Sequence, residues 1–202
     1  FANARGVGVA RADVSDAQLE SLHAGGIRGL RFSVHEPHRG VTTIDMIEPL
    51  ARRVHALGWH VQLHMTGDQV ARHAAMIARL PCPVVFDHRG RLPVAQGMAH
   101  PAFAVIRRLL DAGRAWVKIS GPYLDSASGG PAWDDVAPAA KALIAAAPER
   151  MLWGSDWPHP TERGAKPDDA DWFDRLADWT PDEATRQRLL ADNPRELYGF
   201  DD

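Results

Sequence analysis

Residues 151–160 read MLWGSDWPHP, beginning as a buried strand on Met151, Leu152 and Trp153 and stopping on Gly154, Ser155 and Asp156. Pro158 and Pro160 bar continuation of a strand, because proline has no N–H to offer a ladder. An apolar run that halts on a carboxylate among small and aromatic residues reads as the mouth of a cleft rather than a turn. Other strands of the chain should then end on polar groups beside it.

Five earlier runs fit that expectation: RGVGVA (5–10), IRGLRFSV (27–34), WHVQLHM (59–65), PVVFDH (83–88) and AWVKIS (115–120), with RMLWGSD (150–156) as the sixth. Each is apolar at most positions, as strands covered on both faces must be. Helical patterns separate them. SDAQLESLHAGG opens on Ser15 as an N-cap and closes on Gly25 and Gly26. TIDMIEPLARRVHALG spaces Ile44, Ile47, Leu50, Val54 and Leu57 three or four apart, which makes one face apolar. Further helices are expected over 68–80, 100–113 and 134–149, the last starting firmly near Pro138, and two more in the tail over 171–179 and 181–199.

Strand followed by helix, repeated, predicts a parallel sheet with helices outside it. An open doubly wound sheet and a (β/α)8 barrel both satisfy the pattern. No strand is followed by the glycine-rich dinucleotide fingerprint, so the open sheet lacks its best marker. In a barrel the chemistry lies at the C-terminal ends of the strands, and the polar residues gather there. Arg31 lies in the second run, His64 ends the third, Asp87, His88, Arg89 and Arg91 end the fourth, Lys118 and Ser120 the fifth and Asp156 the sixth. His64, His88 and Asp156, closing three separate strands, are read as functional; His23, His55, His73 and His100, on helices or loops, as structural.

The chain has 202 residues, enough for one sizeable core, and is expected to be a single domain over 1–202. A net charge of -3 with no basic stripe speaks against nucleic acid as a partner. The single cysteine, Cys82, rules out an internal disulfide framework and suits a cytoplasmic location. No run of eighteen apolar residues suggests a membrane span. Because the sequence starts at Phe1, a few residues before its first strand, the chain is expected to be a fragment of a longer one.

WHVQLHM, PVVFDHRGR, WVKISGPY, WGSDWPHP and DNPRELYGF together resemble the amidohydrolase-related hydrolases of the amidohydrolase superfamily, nearest to their lactonase branch. The resemblance covers essentially the whole chain. It implies a (β/α)8 barrel of which the six runs are strands three to eight, with the first two βα units and their His-x-His motif lacking. His64 then ends strand five, His88 strand six, and Asp156 is the catalytic aspartate of strand eight. In DNPRELYGF, Leu197, Tyr198 and Phe200 are expected to pack against the barrel.

The implied activity is hydrolysis of a small carboxylated lactone of the 2-pyrone-4,6-dicarboxylate kind. Asp156 would take the proton from water, and His88 would serve the carbonyl oxygen. Arg31, Arg91 and Lys118 offer cations for an anionic small-molecule substrate, and Tyr123 and His159 are further candidates for the mouth. His64, His88 and Asp156 could together hold a divalent metal such as zinc, although no tightly held metal is expected. Leu124 and Asp125, where the lactonase pattern often has a base after the tyrosine, keep a sugar-acid lactone open as substrate. Two alternatives stand beside this reading: an incomplete, non-catalytic barrel fragment or assembly subunit, and a metal-dependent decarboxylase of the same superfamily. An oligomer that closes the unpaired strand edges is a further expectation.

Overall fold

The computed structural model describes residues 3–36 and 40–200. Six parallel strands pair strictly in chain order: β1 (Gly6–Gly8), β2 (Ile27–Ser33), β3 (His60–His64), β4 (Val84–Phe86), β5 (Ala115–Ser120) and β6 (Met151–Gly154). The sheet curls into part of a barrel, with β1 and β6 at its two ends. Arg5 Nε donates to Gly199 O at 3.0 Å and its guanidinium lies over Phe200, so the approach to β1 and the end of the chain are tied together.

Helices α1 (Asp16–Ala24) and α2 (Ile44–His55) follow β1 and β2. Ser15 caps α1 as expected, accepting from Gln18 N while the Gln18 side chain returns the bond, a reciprocal pair that satisfies two free N–H groups. The helix expected over 68–80 is instead two, α3 (Gly67–Arg72) and α4 (Ala74–Arg79), because His73 leaves helical geometry between them. Helix α5 is Pro101–Asp111, and α6 is Ala137–Ala146, with Pro138 in its first turn where a missing N–H costs nothing. Helix α7 is Asp169–Trp179. The last expected helix is broken into α8 (Glu183–Gln187), a π-turn at Arg188–Asp192 and α9 (Asn193–Tyr198). None of the described helices is long and apolar enough to cross a membrane.

Strand parity divides the side chains into two populations. Leu30 and Phe32, Val61 and Leu63, Val84 and Phe86, and Val117 and Ile119 point outward and are buried against the helices with Ile47, Val54, Ile106 and Leu143. The alternate residues point into the barrel. At its lower end Val85, Trp116 and Leu152 form a small separate apolar plug, with Leu197 of α9 packed on it. Asn193 fastens that end by donating to Pro148 O and Met151 O, both at 2.7 Å. Gly29 is required here, since a Cβ on it would lie 2.4 Å from His60 Nε2, whose ring occupies the interior. One step up each strand the interior turns polar.

Candidate active site

Parity and strand register together bring Arg31 of β2, Gln62 of β3 and Lys118 of β5 around Asp87, the residue that follows β4. Asp87 is buried. Its Oδ2 accepts from Arg31 Nε at 2.8 Å, and its Oδ1 accepts from Gln62 Nε2 at 2.8 Å with Lys118 Nζ 3.8 Å away. Burial acts to raise its pKa, but Lys118 and Arg31 outweigh that and hold the carboxyl well below the usual carboxylate range. Asp87 is therefore a fixed anion that orients two cations.

His64, at the end of β3, is gripped at both ring nitrogens. Nδ1 lies 3.0 Å from Arg31 Nη2 and 3.0 Å from Ser33 Oγ, and Nε2 lies 3.3 Å from Arg91 Nη1. Burial and then the Arg31 charge push its pKa down to about 2, so the ring is neutral. His35 stacks on it at 3.8 Å between centroids.

His88 and Asp156 form the opposite wall. His88 Nδ1 is 2.9 Å from Ser120 Oγ, and its Nε2 is 3.7 Å from Asp156 Oδ1. Burial lowers the His88 pKa against the opposing pull of Asp87 and Asp156. Tyr123 OH donates to Asp156 Oδ2 at 2.7 Å, and burial together with that bond raises the phenol's pKa, so it stays protonated. Residues 88–91 all have positive φ, and the buried Arg89 braces them by donating to Ser120 O, Gly121 O and Asp125.

These walls enclose a cavity of about 440 Å³ at the C-terminal ends of the strands. Of the residues singled out in the sequence, Arg31, His64, His88, Lys118 and Asp156 line it. Arg91, Tyr123 and His159 do not. Arg91 Nε is spent on Asp125 Oδ1 at 2.6 Å and its Nη2 on Leu124 O at 3.2 Å. Tyr123 reaches the cavity only through Asp156. His159 is buried edge-on to Tyr123 with Nε2 3.0 Å from Asp169 Oδ1. Trp153 also turns away, stacking on Trp172 in the helix layer, so Trp157, Pro158 and Pro160 wall the mouth without it.

Ser33, His35, Gln62 and Thr161 line the cavity and were not singled out as candidates. The alternation of polar residues in HVQLH, read at period two, was the signal for Gln62. His23 and His100 do structural work: His23 accepts from Trp59 Nε1 at 2.8 Å, and His100 caps α5 through Ala102 N.

His64, Asp87 and His88 place one ligand atom each within 4.8 Å of one another, so the geometric candidate for a metal includes Asp87 where the sequence suggested Asp156. The donor chemistry does not fit a resident cation. Both Asp87 oxygens already accept from Gln62 and Arg31, both His64 nitrogens face guanidinium groups, and Lys118 adds a third charge beside them. A divalent ion would displace these bonds and sit among like charges.

The profile of the amidohydrolase family matches residues 2–200. The chain belongs to the amidohydrolase family. Among curated members, 4-sulfomuconolactone hydrolase of Rhizobium radiobacter is 36% identical over 185 residues, which are 90% of this chain and 62% of the relative. The 2-pyrone-4,6-dicarboxylate hydrolase of Comamonas testosteroni is 34% identical over 203 residues, 96% of this chain and 67% of the relative. The chain thus spans roughly two thirds of the length of these amidohydrolases. The apo crystal structure of an Agrobacterium tumefaciens protein superposes with a TM-score of 0.87 at 31% identity, covering 98% of this chain and 69% of that one. The amidohydrolase barrel expected from the sequence is the fold observed, in the part this chain spans.

Proposed function

We propose that this amidohydrolase hydrolyses a small carboxylated lactone and does so without a resident metal. One observation carries the reading: Asp156, held at Oδ2 by Tyr123 and facing His88, stands across one cavity from the cations Arg31 and Lys118. The two curated relatives, both named as lactone hydrolases, support the substrate class.

In this reading Arg31 and Lys118, oriented by Asp87, seat the substrate's carboxylate. A water between Asp156 and the lactone carbonyl gives its proton to Asp156 as its oxygen attacks the carbonyl carbon. Ser120 Oγ–H donates to His88 Nδ1, which leaves the ring proton on Nε2, facing the reacting centre. There it donates to the oxyanion of the tetrahedral intermediate. Collapse breaks the ring C–O bond, and Asp156 returns the proton to the leaving oxygen. Tyr123 keeps the carboxylate aimed throughout. Arg91 fixes the His64 ring, and His159 backs Tyr123.

The test is ring opening followed by ultraviolet absorbance, on lactones carrying one or two carboxylates, 2-pyrone-4,6-dicarboxylate among them, before and after exhaustive chelation. Opening that survives chelation is expected. No opening of any carboxylated lactone would refute the hydrolase reading, and activity restored only by zinc would refute its metal-free form.

A further inference from the structure

Asp156 lies in a stretch that neither strand nor helix holds. β6 ends at Gly154, and Asp156 and His159 both take left-handed φ, 68° and 55°, while His159 N donates to Asp156 O at 3.0 Å to close the turn between them. A carboxylate on such a turn keeps its aim only when something outside the turn braces it.

Helix α7 makes two contacts that do so. Trp172 Nε1 donates to Gly154 O at 2.9 Å, just before Asp156, and Asp169 Oδ1 lies 3.0 Å from His159 Nε2, just after it. Residues 169 and 172 are three apart and share a face of the helix, so the first turn of α7 meets both flanks of Asp156. His159 is 3% exposed, and its ring stands edge-on to Tyr123 with 5.2 Å between centroids and 82° between planes. Tyr123 OH in turn donates to Asp156 Oδ2. Lys166 Nζ, donating to His159 O at 2.7 Å, fastens the backbone at the same point.

We propose that Asp169 is a positioning residue of the reaction: by holding His159 against Tyr123 it keeps the phenol on Asp156, without lining the cavity itself. A path that runs through the Tyr123 hydroxyl makes Asp169 matter only while that hydroxyl is present. The proposal rests on the hydrolase reading in assigning Asp156 to the chemistry; the coupling of Asp169 to Tyr123 belongs to the fold.

A double-mutant cycle tests it. Asp169→Ala should lower kcat for lactone opening about fivefold with KM moving less than about twofold, and should change kcat by less than about twofold in the Tyr123→Phe background. Asp171→Ala removes the other carboxylate of the same helical turn, an exposed one, and should leave kcat within about twofold of the parent, which separates the contact with His159 from the loss of helix-terminal charge. His159→Asn, whose new side chain tolerates left-handed φ, should reproduce the Asp169→Ala pattern and serves if that variant does not fold. Tyr123 and Tyr198 are the two tyrosines of the chain, so fluorine NMR of protein labelled with 3-fluorotyrosine reads the coupling without turnover, with Tyr198→Phe assigning the lines. Asp169→Ala, or His159→Asn in its place, should move the Tyr123 line and Asp171→Ala should not. An equal loss of kcat with and without the Tyr123 hydroxyl, an equal loss in Asp171→Ala, unchanged kcat in Asp169→Ala, or a Tyr123 line that stays in place would each overturn the proposal. A Tyr123 line that moves in a protein opening no lactone would strike the hydrolase reading and uphold the coupling.

Discussion

Replacing Asp87 by asparagine removes the carboxylate that Arg31 and Lys118 share in the cavity floor. Asp87 is 2% exposed, whereas the side chains of Arg31 and Lys118 are 31% and 22% exposed. Breaking a buried ion pair costs about 3–5 kcal/mol, and water reaching the two cations recovers part of it, so about 3 kcal/mol is expected here. For a chain of this size that lowers the melting temperature by about 6–12 °C. The sign with pH follows from the depressed native pKa of Asp87. Its stabilisation is fully present above the unfolded carboxylate value of about 4 and is lost as pH falls through the lower native value. The gap between the two proteins should therefore stay constant from pH 8 to about pH 5 and close only in stronger acid. Thermal unfolding by far-ultraviolet circular dichroism across that range measures it. A variant melting within about 2 °C of the parent at pH 7 would refute the view that Asp87 anchors the cations, and a gap closing between pH 8 and 6 would point to a histidine instead.

Four further outcomes are expected. Asp156→Asn should lower kcat for lactone opening by about 10²–10⁴ with unchanged unfolding; near-normal turnover would remove Asp156 from the chemistry. Tyr123→Phe, losing one bond to a charged acceptor, should reduce kcat about tenfold while KM moves less than about twofold, and a change confined to KM would contradict its role in aiming Asp156. Gly121→Ala puts a methyl 2.8 Å from His88 Nδ1 at a φ of +52°, so a cost of about 1–2 kcal/mol in urea unfolding and a loss of turnover should appear together. Asn193→Ala should cost about 2–3 kcal/mol by leaving two carbonyls unpaired at the far end of the barrel, with kcat/KM unaffected; a drop in activity at full stability would show that this end reaches the site.

The strand and helix order was legible because each strand is a short apolar run bounded by glycine or proline, and because Ser15 and Gln18 announce a helix start by residue type alone. The break at His73 was not, since neither glycine nor proline marks it and the apolar spacing continues through it. Asp156 stood out because a carboxylate ending an apolar run has few other uses. Asp87 was noted as a strand-end residue, but its part as counter-ion to Arg31 and Lys118 depends on the four strands β2 to β5 lying side by side, and no local pattern encodes that register. Charge type suggested Arg91 as a substrate ligand, and the ion pair with Asp125 that redirects it comes from a loop 34 residues away. Trp153 and Trp157 look equivalent in the sequence, and they part because β6 ends at Gly154: Trp153 lies within the strand and faces the helix layer, whereas Trp157 lies beyond it at the mouth.

The turn that carries His88 has a consequence for how the protein ages under stress. His88, Arg89, Gly90 and Arg91 form one turn of the wrong hand, with φ of 49°, 58°, 70° and 48°. For each of the three that carry a side chain this conformation is uphill by about 1–2 kcal/mol, so the turn is a wound spring and the Arg89 guanidinium, bonded to the carbonyls of Ser120 and Gly121 at the end of β5, is its catch. Slip the catch and the backbone relaxes to the ordinary hand, carrying the imidazole away from Asp156 while every helix stays in place. Warmth or mild denaturant should thus cost lactone opening before the helices melt, which turnover and far-ultraviolet circular dichroism followed on one ramp would show; loss of both together would refute it.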